Sequence, residues 1–215
     1  MNSLGHDPAP ENGPKSPNEW GVLIIISFFF FLLICLELFR DFTIYKLSVP
    51  FFVASWVILL VIHELGHALA ARFLGWGVSL ISIGTGRILA KVEIADMPIE
   101  FRTIPLSGFV MPEVRDLTAP RLKQFIIYSA GPGIEILLVC LIAVVFGPST
   151  LLQKTPDVGL VALQSFCVAA LTGAIINLIP LPHSTSSGTG WSDGLGMLLS
   201  WTIPDEVFRQ RLKPS

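Results

Sequence analysis

Long apolar runs constrain this chain more than anything else in it. Gly21 to Phe39, Val49 to Leu74, Phe125 to Phe146 and Val158 to Leu181 each reach about 28 Å or more as helix, enough for a hydrocarbon core. A spanning segment must satisfy its backbone internally, so each is expected to be helical. The second run is the anomaly. It contains His63-Glu64-Leu65-Gly66-His67, with no other acidic residue and no basic one before Arg72. Ionisable groups in hydrocarbon are costly unless they face a metal, a partner or a water-filled cavity.

Two histidines four residues apart on a helix differ by about 40° around the axis, so both imidazoles project from one face. A zinc ion bound from a single helix needs that arrangement, and the glutamate beside the first histidine is placed as general base towards an attacking water. The expectation is a Zn2+ hydrolase working within the membrane, with His63 and His67 as metal ligands and Glu64 as catalytic base. The plain alternatives are a chance match and a site that binds metal without catalysis. A lone histidine on an apolar face would be ordinary core. Two with an adjacent glutamate are not.

Composition agrees. The chain is 52% hydrophobic and 14% charged, against roughly a quarter charged in soluble domains. A net charge of -2 and a pI near 6.1 leave no electrostatic footprint for nucleic acid. Cys35, Cys140 and Cys167 lie in apolar runs without paired spacing and read as small hydrophobes.

The layout predicts an α-helical polytopic membrane protein with about four transmembrane helices and a small membrane-surface β region between the second and third. Residues 1–20, rich in Pro, Asn, Gly and Ser, read as a disordered tail without a cleavage site of the signal-peptide kind. Residues 21–201 read as the membrane-embedded domain, with spans over 21–39, 49–74, 125–146 and 158–181, and residues 202–215 as a C-terminal tail. The third span is interrupted by Gly131-Pro132-Gly133 and carries Glu135. Residues 76–113 alternate apolar with polar positions around Gly84-Thr85-Gly86, which predicts two to four short strands. Leu195, Leu198 and Leu199 have helical spacing and predict a short helix ending before Pro204.

With four spans, both tails share one side with the loop between spans two and three. That side holds eleven Lys and Arg, against Arg40, Lys46 and Lys154 on the other. The positive-inside rule then puts both termini and the strand region in the cytoplasm. His67 lies about five residues, or roughly 7 Å, from the inward end of its helix at Arg72.

A tetrahedral catalytic zinc needs a third protein ligand besides the two histidines and a water. His6, His183 and Asp193 are the candidates from residue type and position. The chain resembles the site-2 protease family of intramembrane zinc metalloproteases. Its HExxH helix matches His63 to His67, and its NxxPxP signature followed by Asp-Gly matches Asn177, Pro180, Pro182, Asp193 and Gly194. The segments from Ile83 to Gly86 and from Ile104 to Val110 are similar to its strand region, and Ala130-Gly131-Pro132-Gly133 to its Ala-Gly-Pro helix. The resemblance covers roughly residues 49 to 199.

It implies Asp193 as third zinc ligand, Asn177 close to the substrate path, and a membrane-protein substrate cut within or next to a transmembrane segment, in regulated intramembrane proteolysis. Two departures stand out. His183 to Ser192 lengthen the usual short step from the last proline to Asp-Gly, and Glu135 replaces a small or amide residue. Glu135 reads as a functional carboxylate, as a protonated group bonded to a neighbouring helix, or as the third ligand of another metalloprotease type. The non-enzymatic alternative is a catalytically silent membrane scaffold that retains the metal site.

Overall fold

The computed structural model describes residues 17–40, 42–185 and 188–212. Most of the N-terminal tail expected over residues 1–20 therefore lies outside the described residues; residues 17–20 already belong to the first helix. The elements run α1 (Pro17–Phe39), a 3-10 turn (Ile44–Leu47), α2 (Ser48–Phe73), β1 (Gly77–Ile94), β2 (Met97–Glu113), α3 (Pro120–Phe146), α4 (Pro148–Leu152), α5 (Val158–Leu178), β3 (Pro182–Thr185), β4 (Gly188–Trp191), α6 (Asp193–Ser200) and α7 (Asp205–Arg211).

The chain forms two units, residues 1–46 and 47–215. In the first, the Lys46 ammonium donates to the carbonyls of Glu37 and Arg40, both at 2.6 Å, and so satisfies orphan acceptors at the end of α1. The apolar part of α1 within the described side chains is Ser27–Phe39, short of a full span. Among the described residues three helices are long and apolar enough to cross a membrane: Ile44–Phe73, Pro120–Phe146 and Val158–Leu178. They correspond to the second, third and fourth expected spans.

Two boundaries differ from expectation for identifiable reasons. α3 begins at Pro120 rather than Phe125, because proline suits the first helical position and Lys123 bridges back to Asp116 at 2.7 Å. It also runs unbroken through Pro132, whose fixed φ is helical and whose missing N–H frees a single carbonyl. α5 stops at Leu178 instead of Leu181, since Pro180 holds Ile179 extended (φ -65, ψ 121).

The expected surface sheet is one folded hairpin. β1 and β2 pair antiparallel through the left-handed turn residues Ala95 and Asp96. Arg72, at the end of α2, donates to the Ala95 carbonyl at 2.7 Å and ties the turn down. β1 bends at Gly84 and Gly86 (φ +92 and +86), so Ile81–Ile83 takes partners on both sides, Ile99–Phe101 and Gly108–Val110. The buried faces of this sheet meet Ala68 and Ala71 of α2 and Ile127 of α3 in one apolar core. A smaller core, Leu59 with Ala169 and Ala170, joins α2 to α5.

The lengthened insert over His183 to Ser192 is largely a second hairpin, β3 with β4. The segment expected to be a C-terminal tail contains α7, whose Phe208 is fully buried with its ring centroid 6.3 Å from that of Trp76. Seven residues are too few to show helical periodicity, and the apolar anchors are two adjacent side chains, Val207 and Phe208.

Candidate metal centre

Glycines let the helices close around the histidine motif. Gly66 of α2 faces the Ala130 carbonyl, where a Cβ would sit at 3.0 Å. One residue on, a Cβ at Gly131 would overlap Nε2 of His67 and lie 2.6 Å from Nε2 of His63. The backbone of α3 thus forms one wall of the site, and only glycine leaves room in front of both imidazoles.

Asp193 arrives from the far side of the Pro180 break. Ser192 caps α6: its Oγ donates to the Ile179 carbonyl at 2.7 Å and accepts from the N–H groups of Leu181 and Leu195 at 3.0 and 3.3 Å. The Ser192 N–H adds a bond to the Leu181 carbonyl at 3.0 Å. Residues 179–181 and 192–195 are therefore stapled together whatever the length of chain between them. Gly194 packs on the carbonyl of Leu178, in space that no Cβ could share. Asp193 consequently occupies the first turn of α6, where the helix dipole favours a carboxylate.

The three groups converge. Nε2 of His63 lies 3.0 Å from Oδ2 of Asp193, Nε2 of His67 lies 3.3 Å from Oδ1, and the two Nε2 atoms are 3.1 Å apart. Ligands at 2.0–2.1 Å in a tetrahedral set are separated by about 3.3 Å. The donor set fits a divalent metal on that measure and on its chemistry. Nδ1 of His67 donates to the Ile127 carbonyl at 2.6 Å, which leaves the Nε2 lone pair facing the cluster. His63, His67 and Asp193 form the one metal-competent group of this kind among the described residues. Burial opposes ionisation of Asp193, but its contacts with the two histidines outweigh this and hold the carboxyl down at about 2.

Glu64 is 4% exposed and its Oε2 has no hydrogen-bond partner. Its other oxygen faces Gly108 of β2, where a Cβ would come within 2.6 Å of Oε1. Glu135, 3% exposed, lies on the opposite side of His63, its Oε2 3.3 Å from Nδ1. Asn177 is half-buried in the last turn of α5, next to the Leu178 that Gly194 packs against. His183 stands in β3 in register with Gly190; its side chain lies outside the described residues. His6 does so entirely.

Sequence reasoning did not single out Ser192, Gly108 or Gly131 as parts of this site. A serine opening an apolar helical run was an available N-cap signal. The glycine contacts depend on which helices become neighbours, which no local pattern carries.

The model of peptidase family M50 matches residues 51–179, a stretch containing both histidines, Glu64 and Asn177. A Campylobacter jejuni protein with the provisional name of zinc metalloprotease is 32% identical over 134 residues, 55% of this chain and 36% of its own length. The Arabidopsis thaliana chloroplastic membrane metalloprotease ARASP is 43% identical over 58 residues, 27% of this chain and 13% of its own. The chain thus spans about a third or less of these relatives. With the family model covering more than half of its residues, the chain belongs to peptidase family M50.

Proposed function

We propose that the protein is a zinc-dependent intramembrane protease, with His63, His67 and Asp193 as the zinc ligands, Glu64 as catalytic base and Asn177 beside the substrate path. The observation that carries this is the convergence of both Nε2 atoms and the Asp193 carboxylate between helices of membrane-spanning length. Zinc held there supplies a Lewis acid that acidifies water and polarises a carbonyl. Glu64 takes the proton of the attacking water and returns it to the leaving amine. Its unpartnered Oε2 is available for that transfer.

The substrate is a membrane protein with a transmembrane segment, cut in or next to that segment in regulated proteolysis. A helical substrate first has to be extended, because its carbonyls are engaged in helical hydrogen bonds. Support for a route lies in β2: Pro105, Leu106 and Ser107 have no ladder partner among the described residues and lead directly to Gly108 at Glu64. An extended segment adding to the sheet there would lie beside the base. Lipid is the other partner; nucleic acid is not one. With α1 counted as a fourth span, both termini and the sheet face the cytoplasm, on the distribution of Lys and Arg.

The test is Glu64→Gln in the purified protein reconstituted with a transmembrane peptide. The variant should keep its zinc and lose cleavage by about 100-fold or more. Equal cleavage by the variant would overturn the assignment of the base. A wild-type protein that binds zinc and cleaves no membrane peptide would favour the silent scaffold.

A further inference from the structure

The two histidines of the cluster are held from behind in different ways. Nδ1 of His67 donates to the backbone carbonyl of Ile127 at 2.6 Å. Nδ1 of His63 has no completed hydrogen bond, and neither has Oε2 of Glu135; the two buried atoms lie 3.3 Å apart, close but out of line. An unmet buried donor facing an unmet buried acceptor is costly for both. Binding a metal through Nε2 obliges Nδ1 to carry the proton, so an acceptor on that side becomes necessary at the moment the site is loaded.

We infer that Glu135 is the positioning residue for His63, accepting its Nδ1–H and fixing tautomer and ring orientation so that Nε2 presents to the metal. The placement excludes the role of third ligand, because Glu135 meets the nitrogen turned away from Asp193. It also gives a purpose to a carboxylate in a helix of membrane-spanning length. α5 makes room for it: a Cβ on Gly173 would lie 3.0 Å from Glu135 Oε1. Outer partners of this kind raise ligand basicity, and losing one typically weakens metal binding about 10–100-fold.

This inference rests on the metal-centre assignment, and the experiment separates the two. Zinc affinity is measured by chelator competition, and the visible bands of the cobalt(II)-substituted protein report ligand geometry. Glu135→Leu should weaken zinc about 10–100-fold and shift the cobalt bands. Glu135→Gln, which keeps an oxygen acceptor, should recover most of the affinity. Should Glu135→Leu fail to fold, Glu135→Asp decides, since it withdraws the carboxyl by one methylene and should weaken zinc as well. Unchanged affinity and spectrum in a folded Leu or Asp variant would overturn the inference, even if the metal-free protein had lost stability. A wild-type protein that binds no zinc would instead overturn the metal centre itself.

Discussion

Gly131→Ala isolates the site from the stability of the fold. The added Cβ would overlap Nε2 of His67 and approach Nε2 of His63 to 2.6 Å. It would therefore occupy the space onto which both donor atoms open. Overpacking there should cost about 1–3 kcal/mol, and alanine before Pro132 adds strain. The better helix propensity of alanine offsets up to about 1 kcal/mol. Net destabilisation of about 1–2 kcal/mol leaves a folded protein. Zinc affinity should fall by more than about 100-fold, beyond the effect of losing an outer-shell partner. Gly133→Ala is the control: nothing lies within 4 Å of its added Cβ, so it should gain about 0.5–1 kcal/mol and keep its zinc. Chelator competition and thermal melts in detergent read both quantities. Wild-type zinc affinity in Gly131→Ala would refute the argument that α3 walls the metal site.

Three further outcomes are expected. Asp193→Ala should lower zinc content strongly under matched chelator and His183→Ala only slightly; the reverse would mean that the β3–β4 insert has exchanged the ligand. Ser192→Ala should cost about 0.5–2 kcal/mol as a lost N-cap and weaken zinc, because Ser192 staples Asp193 to the end of α5; a stability loss without any change in zinc affinity would argue against that positioning. Product termini mapped by mass should fall in the cytoplasmic half of a substrate span if the proposed orientation holds, since His63 and His67 lie in the C-terminal half of α2, and cuts near the outer face would contradict that orientation.

The histidine helix was legible because its information is local. A spacing of four puts His63 and His67 on one face whatever surrounds them, and a polar motif in an apolar run demands a partner. Asp193 was legible only through the family resemblance, since its approach depends on Ser192 bonding across the Pro180 break. Strand content over residues 76–113 showed as alternation. The pairing of Ile81–Ile83 on both sides did not, because it joins segments about 20 to 30 residues apart through bends at Gly84 and Gly86. Pro132 looked like an interruption by local rules, yet α3 runs through it, because its fixed φ is helical and only one carbonyl is freed. Glu135 was conspicuous as a charge in an apolar span, but which atom it faces became clear only from the packing of α3 on α2 and α5.

X-ray absorption at the zinc edge of the purified protein reads the ligand set at the metal itself. The spectrum should show one zinc per chain, with two imidazole nitrogens and further oxygen donors at about 2.0–2.2 Å, and loss of one imidazole signal in His63→Ala or His67→Ala. A sulfur shell at about 2.3 Å, which would implicate a cysteine, or a spectrum unchanged by either histidine substitution would contradict the metal-centre assignment.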